Sequence, residues 1–459
     1  MDGKRVTVMG LGLFGGGIGV TRYLVKRGAK VTVTDLRTQE ELREAVRSLQ
    51  GSNVSFHLGG HMEQDFIHTD LIVVNPAVPL DSPYLRLAKE RGIPLESEIN
   101  LFFKLCPAPI VGITGSNGKS TTVALLAEVL KRSPLRWWIG GNIGHSLLED
   151  VQHIQPQDIV ILELSSFQLE TLGYLRKSPW GSVVLNIYPN HLDRHGELEN
   201  YIKVKRNIVA YQDDRQWAIL NRDSQYVCGF ENHTRAKVFP FSLEEFLPYG
   251  VSLLGDRIVL IDKGHTSSIS IRGSRLPGRF NLQNMLAAYG VLHKILEGRW
   301  EEWVSVSEEV FNTFEGIKHR LEFVGERRGV IYYNDSIATN PMATISALEA
   351  LQGPLILIAG GSDKKLDFDR LGDIIAKRVK ALLLMGQTAT KIKETVLKYN
   401  PALHIELVSD LREAVEAAKS IATAGDIVLL SPACASYDMF RNFAERGDLF
   451  KGYVEQTKV

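Results

Sequence analysis

Short runs of β-branched and aliphatic residues recur along the chain, each separated from the next by a stretch of helical spacing, and this alternation restricts the fold more than any other feature. The runs include "RVTVMG", "KVTVTD", "DLIVVN", "PIVGIT", "DIVILEL", "SVVLNI", "GVIYYND", "PLILIAGG", "ALLLMG" and "DIVLLSP". They are apolar at successive positions, so each strand needs cover on both faces. Strands of that kind alternating with helices imply parallel, doubly wound α/β sheets. A chain of 459 residues exceeds one ordinary core, and length alone suggests roughly three domains of about 150 residues.

Two places read as boundaries. The prolines of "CPAP", Cys106 to Pro109, end any preceding helix just before "PIVGIT". Around "FEGIKHR", Phe314 to Arg320, a helical stretch gives way to "GVIYYND". Between Asp256 and Gly278 the sequence reads instead as antiparallel strands and turns, a small β appendage of the middle region. Lys plus Arg and Asp plus Glu are equal at 53, which removes any overall drive toward nucleic acid or an anionic membrane surface and favours a small polar ligand. No apolar run of about 18 residues is present to span a membrane. Glycines between Gly10 and Gly19 argue against a secretory signal at the N-terminus. The widely spaced Cys106, Cys228 and Cys434 read as buried thiols of a reducing cytoplasm, without metal-type spacing.

Two glycine loops carry the functional information. Gly10, Gly12 and Gly15 follow a strand, precede a helix, and have Asp35 at the end of the next strand. In that setting glycines admit a diphosphate to backbone N–H groups at a helix N-terminus, and the acid can meet a ribose hydroxyl. A tight turn without a ligand would use the same residues. The second loop, "TGSNGKST", has Ile113 where the spacing G-x-x-x-x-G-K-[ST] wants glycine, with Gly112 one residue too early. It still supplies Gly115, Ser116, Asn117 and Gly118 for backbone contacts to phosphate, Lys119 for the β and γ oxygens, and Ser120 or Thr121 for Mg²⁺. Two phosphate cradles imply two phosphorylated ligands, ATP and a diphosphate carrier, as a kinase or a ligase requires.

Further motifs then carry a resemblance. "GITGSNGKST", "GGNIG", "ELSSFQLE", "NIYPNHLDRHG", "LPGRFNLQNMLAA", "HRLE", "NDSIATN" and "LSPACASYDMF" together make the chain similar to the Mur ligases, in order and over nearly its whole length. The resemblance implies an α/β protein of three domains. A Rossmann-like domain, residues 1–98, would hold a UDP-linked substrate. A central P-loop ATPase domain with a mostly parallel sheet, residues 99–316, would bind ATP, and a second Rossmann-like domain, residues 317–459, would bring the amino acid. The implied reaction joins the carboxyl of UDP-N-acetylmuramoyl-L-alanine to the amine of D-glutamate through an acyl phosphate. Its setting is peptidoglycan synthesis in the cytoplasm, by a monomer working on small molecules without nucleic acid or membrane.

The resemblance also distributes roles. Lys119 would neutralise the migrating phosphate, Ser120 and Glu163 would hold one Mg²⁺, and His191 and Lys205 a second. Lys205 matches a lysine that CO₂ carbamylates. By pattern alone, Glu163 is a strand-end acid, His191 a structural histidine, and Lys205 in "YIKVKRNI" a solvated lysine on a basic helical face with Lys203 and Arg206. Asn142 matches a contact to the substrate or to metal-bound phosphate, Ser165 and Gln168 match contacts to the muramoyl substrate, and Asn284, Arg320 and Asp335 match contacts to ATP. Asn284 serves equally as a helix cap and Asp335 as a strand-end turn residue. Thr339, Lys364, Ser436 and Phe443 match the positions that receive D-glutamate, although Lys364 beside Lys365 also reads as surface charge. Leu13, Phe14, Asp35 and Arg37 match the uracil end.

The chain departs from the family pattern at Ile337, in "DSIATN", where a lysine is usual, and at Asn190, where an acid often precedes the histidine. Activity is expected to survive both, because Lys119, Glu163, His191 and Lys205 are present. Three competing readings use part of the same sequence: a folylpolyglutamate-synthase-like ligase, a nicotinamide-dependent oxidoreductase that leaves "GSNGKST" without purpose, and a P-loop switch that makes no amide.

Overall fold

A computed structural model describes residues 1–12, 15–79, 81–142, 146–188, 192–276, 278–296, 300–363 and 366–456. The chain packs as two compact units, one of Met1–Ile271 with Gln283–Val310, the other of Arg272–Leu282 with Phe311–Val459. Among the described residues three sheets run through them, two in the first unit and one in the second.

The first sheet is parallel, with strands in the order Val54–Leu58, Lys30–Asp35, Arg5–Met9, Leu71–Val74 and Leu95–Glu96. Val6, Val8 and Val73 enter one apolar core while Met9, Ile72 and Val74 enter another, which is the two-sided burial that the runs of apolar residues require. The chain leaves Arg5–Met9 toward one edge and later crosses to the other side of it. A crevice therefore opens at the carboxyl ends of Arg5–Met9 and Leu71–Val74, where open α/β sheets bind ligands.

The second sheet has nine strands among the described residues, and Ile110–Thr114 lies between Ile159–Glu163 and Gly181–Val184. Trp137–Gly141 forms one edge, and Trp217–Asn221 and Lys237–Ser242 continue the parallel part. Gly112, displaced from its usual place in the loop, serves the strand instead: a Cβ there would come within 2.5 Å of Pro179 Cγ and 2.8 Å of Leu164 Cδ1. The far edge is the antiparallel appendage, Gly250–Leu254, Arg257–Asp262 and His265–Ser270. It starts earlier than expected, because Arg257–Asp262 needs "GVSLL" as its partner, and its last strand ends at Ser270 instead of running on toward Gly278. The core of the first unit is continuous from Val6 and Leu24 through Phe102 to Leu162 and Val184, with Glu98–Leu105 as the helix between the two sheets.

In the second unit the strand order is Glu322–Arg327, Val330–Asn334, Ile427–Leu430, Leu355–Ala359, Val379–Leu384 and His404–Leu407. Leu355 and Leu357 pack on one face and Ile356 and Ile358 on the other. Among the described residues only the first pair of these strands is antiparallel. The cysteine expectation needs correction at two of three positions. Cys434 is buried, whereas Cys106 and Cys228 are half-buried because each stands at a helix end, where the chain returns to the surface.

Candidate active site

The glycine turn after Arg5–Met9 opens onto a cavity of about 1030 Å³ whose walls include Gly10, Asn75, Asn142, Phe167 and Gln168. Helix Gly16–Lys26 begins beside it, with its first-turn N–H groups available to an anion. Asp35 is nearly fully buried and already engaged: Oδ2 accepts from the Leu11 N–H at 2.9 Å and the Gly12 N–H at 3.3 Å, and Oδ1 from the Arg37 N–H at 2.9 Å. The acid thus holds the glycine turn in shape, a role its spacing does not disclose. Arg37 is exposed at the rim, its guanidinium 4.0 Å from Asp35. Leu13 and Phe14 lie outside the described residues.

The phosphate loop stands at the carboxyl end of Ile110–Thr114, and Lys119 is the first residue of helix Lys119–Leu130. The Lys119 ammonium folds back over the loop, donating to the carbonyls of Gly115 at 3.0 Å and Ser116 at 3.3 Å. Asn186 fixes Asn117 by accepting from its N–H at 2.9 Å, and Ser116 Oγ donates to the Tyr188 carbonyl at 3.0 Å. Gly118 has φ +88°, and a Cβ there would lie 2.1 Å from Oδ1 of the buried Asn284, so no other residue fits. Gly118→Ala is expected to destabilise the fold by at least about 1–2 kcal/mol through the left-handed backbone alone, and to weaken ATP binding by displacing Asn284. Denaturant unfolding and nucleotide titration check both effects.

Glu163 ends the neighbouring strand, only 2 % exposed. Its two oxygens accept from Ser120 Oγ at 2.6 Å and from Asn142 Nδ2 at 3.0 Å, while its carbonyl accepts from the Asn142 N–H at 2.8 Å. Thr121 turns into the core, which leaves Ser120 as the hydroxyl facing the acid. Ser120 and Glu163 are hard oxygen donors, and two of them suit Mg²⁺, which keeps several waters and takes the rest of its shell from phosphate oxygens. Among the described residues no group of three or more His, Cys, Asp or Glu side chains is arranged to hold a metal ion. His191 lies outside the described residues, as does Asn190.

Lys205 overturns the reading from pattern. Lys203 is exposed on helix Leu198–Arg206, but Lys205 is 1 % exposed, donating to Thr114 Oγ1 at 3.1 Å and the Gly115 carbonyl at 3.0 Å. Its ammonium lies 5.0 Å from the centre of the Tyr201 ring. Burial, reinforced by the nearby Lys119 charge and opposed by Glu163, depresses the pKa of Lys205 well below the ordinary lysine value. A helical repeat puts Lys203 and Lys205 on different faces, and the apolar surroundings of Tyr201 and Ile208 mark which face is inward.

Ser165 and Gln168 form a reciprocal cap on helix Ser166–Leu175, the Gln168 N–H donating to Ser165 Oγ at 3.3 Å and the Ser165 N–H to Gln168 Oε1 at 3.0 Å. The cap points Phe167 and Gln168 into the cavity wall. Sequence reasoning missed Phe167 and also His195, whose ring is 5.7 Å from Phe167 and whose Nε2 is 3.0 Å from Ser166 Oγ.

In the second unit, the loops after Val330–Asn334 and Ile427–Leu430 lie together at the carboxyl end of their sheet. Asp335 is buried and accepts from Ser431 Oγ at 2.7 Å and the Leu321 N–H at 3.1 Å, and burial pushes its carboxyl up to about 7. Arg320 is exposed. His319 and Leu321 in "HRLE" adopt positive φ values of 64° and 41°, a strained backbone of the kind found at ligand sites. Thr339 is half-buried, Ser436 is buried, and Phe443 opens helix Phe443–Glu455 with its carbonyl accepting from Ser336 Oγ at 2.7 Å. Ile337 is half-buried and tied by its N–H to the His319 carbonyl at 3.0 Å. Lys364 lies outside the described residues. A further residue, Arg446, is fully buried with no carboxylate hydrogen-bonded to it among the described residues. Its guanidinium donates to Ser336 Oγ and the Ser336 carbonyl, both at 2.9 Å, and to the Cys434 carbonyl at 3.1 Å, which joins the two loops.

Three family models match the chain in succession: a Mur ligase MurD-like N-terminal domain over residues 4–97, a Mur ligase middle domain over 113–292, and a Mur ligase glutamate ligase domain over 319–434. A UDP-N-acetylmuramoylalanine–D-glutamate ligase of Caldanaerobacter subterraneus is 42% identical over 98% of each chain. Proteins of the same name from Clostridium kluyveri and a Thermoanaerobacter species are 40% and 39% identical, over 98% and 100% of this chain and 96% and 99% of theirs. The fold is similar to that of the UDP-N-acetylmuramate-alanine ligase of Thermotoga maritima, with TM-score 0.58 and 16% identity over 99% of this chain and all of that one. The MurF ligase of the same organism, solved in complex with ADP, gives TM-score 0.55 and 16% identity, covering 100% of this chain and 96% of that one.

Proposed function

Because this chain belongs to the Mur ligase family, we propose that it couples ATP cleavage to amide formation between UDP-N-acetylmuramoyl-L-alanine and D-glutamate, in cytoplasmic peptidoglycan synthesis. The observation that carries this reading is full-length identity of 39–42% to relatives bearing that activity in their names. The Lys119, Ser120, Glu163, Asn142 and Lys205 cluster supports it. No described helix is long and apolar enough to cross a membrane, and small-molecule substrates fit the cavity. The working form we propose is a monomer.

A carboxylate resists attack by an amine, so it must first be activated. Phosphoryl transfer from ATP turns it into an acyl phosphate; the amine then adds, and the tetrahedral intermediate expels phosphate. Such transfer depends on positioning and charge neutralisation more than on a covalent nucleophile. The Lys119 ammonium must leave the Gly115 and Ser116 carbonyls to follow the γ-phosphate, and Gly118 lets the backbone approach it. Mg²⁺ held by Ser120 and Glu163, with a second ion at His191 and a carbamylated Lys205, would supply further charge neutralisation. Asn142, through Glu163, links the phosphate loop to the cavity that holds the acid. Thr339, Ser436, Phe443 and Lys364 are the positions we assign to D-glutamate, with Asn284, Arg320 and Asp335 for ATP and Asp35, Arg37, Leu13 and Phe14 for the uridine end. Ile337 is the departure that bears most on the choice of amino acid.

Labelling the carboxylate of UDP-N-acetylmuramoyl-L-alanine with heavy oxygen tests the mechanism. One labelled oxygen is expected in the released orthophosphate, and phosphate free of label would rule out an acyl phosphate. Phosphate release with a panel of D- and L-amino acids is expected to be strongest with D-glutamate; turnover that depends on folate instead would favour the rival ligase.

A further inference from the structure

Glu98, the first residue of helix Glu98–Leu105, is an acid in the wall of the large cavity that none of the roles above uses. Its position is fixed from three sides. Ser97 caps the helix by accepting from the Asn100 N–H at 3.2 Å and donates to Thr171 Oγ1 at 3.0 Å, while Asn100 Nδ2 donates to the Thr171 carbonyl at 3.1 Å. These bonds lock the start of the helix onto Ser166–Leu175, the helix that carries Phe167 and Gln168. Ser146 Oγ donates to Glu98 Oε1. Ser146 in turn sits against helix Gly16–Lys26, so close that a Cβ on Gly19 would lie 2.4 Å from its Cβ.

Glu98 is half-buried, and its open side faces the cavity. Among the described residues no Lys, Arg or His forms an ion pair with it. Of the other acids that line the cavity, Asp35 is held by backbone N–H groups, Glu41 by the N–H and hydroxyl of Thr38, and Asp81 is exposed. Among the described residues Glu98 has one such donor, Ser146, so its second oxygen depends on whatever fills the cavity. A ligand that displaces water there must replace the lost hydrogen bond or leave a desolvated carboxyl oxygen unsatisfied. Phosphate and carboxylate groups are acceptors and would meet it with like charge. Hydroxyls and amide N–H groups are the donors that fit.

We propose that Glu98 is a specificity-determining residue that reads the uncharged side of the nucleotide sugar, accepting a hydrogen bond from a sugar hydroxyl or an acetamido N–H. The proposal rests on the cavity being the site of UDP-N-acetylmuramoyl-L-alanine. Burial raises the pKa of the carboxyl, and a ligand donor is the complement that would stabilise its charged form.

The test compares Glu98→Ala and Glu98→Gln with the parent enzyme, by steady-state kinetics in all three substrates and by calorimetric binding of UDP-N-acetylmuramoyl-L-alanine. Alanine is expected to raise KM and Kd for the nucleotide sugar about tenfold, the effect of one lost hydrogen bond to a charged group. KM for ATP and D-glutamate should hold, and kcat should change far less than KM. Glutamine keeps one accepting oxygen and should recover part of the loss. A substrate analogue lacking the acetamido group or one hydroxyl should lose affinity for the parent but little for Glu98→Ala, a coupling that a structural role would not produce. Unchanged binding in Glu98→Ala, or a fall in Tm with all three KM values moving together, overturns the assignment. A parent enzyme that does not bind the nucleotide sugar at all overturns the ligase reading instead.

Discussion

Lys119→Ala is expected to lower kcat by about 10³-fold, on the order of 4 kcal/mol of transition-state stabilisation, while the fold survives. The ammonium is held by two loop carbonyls, at 3.0 Å from Gly115 and 3.3 Å from Ser116, so its removal leaves acceptors that water can satisfy at the mouth of the loop. Helix Lys119–Leu130 keeps its core face, since Val123, Leu126 and Val129 lie inside whether or not position 119 is charged. The missing positive charge matters only when phosphate oxygens accumulate charge in transfer. Steady-state turnover with saturating ATP, alongside thermal unfolding, separates the two effects. A variant retaining more than a tenth of parental kcat would remove Lys119 from the chemistry.

Lys119→Arg should fail nearly as badly. The planar guanidinium is wider than an ammonium and cannot present the compact point charge that must follow the γ-phosphate from within the loop.

What the sequence discloses and what it hides divide along a physical line. Strands buried on both faces announce themselves by composition, and Leu355–Ala359 or Ile159–Glu163 could be read directly. The phosphate loop was legible too, because glycine, lysine and hydroxyl must stand in one local order. Short or amphipathic strands were not: Trp137–Gly141, Glu322–Arg327 and His404–Leu407 carry too few consecutive aliphatic residues to stand out. Roles that depend on a distant partner were hidden altogether. Asp35 stands where a ribose ligand would, yet its spacing does not disclose that Leu11 and Gly12 donate to it, and nothing local marks Arg446 as the buried residue around which Ser336 and Cys434 close. The family resemblance pointed to Glu163 and Lys205, which pattern alone reads as a strand-end acid and a solvated lysine.

Lys205→Met is expected to lower kcat by at least about 10²-fold without lowering Tm, a contrast that separates a chemical role from a structural one. A lysine with an ordinary pKa offers a neutral amine in roughly one molecule in 2,500 at pH 7, too few to react appreciably with CO₂. Burial between Thr114, Gly115 and the Tyr201 ring, together with the Lys119 charge, raises that fraction, and the neutral amine can then take up CO₂ and lose a proton to become an anionic carbamate. Methionine fills about the same space, and the two groups that lose the amine keep other partners, Thr114 Oγ1 donating to the Leu164 carbonyl and the Gly115 carbonyl accepting from Lys119. Activity and stability should therefore move apart. Labelled bicarbonate should give a carbamate resonance in the parent that Lys205→Met lacks. A fully active Lys205→Met enzyme would sink both the carbamate and the catalytic role. A parent without the resonance, paired with an inactive variant, would keep the lysine and assign its role to the free amine.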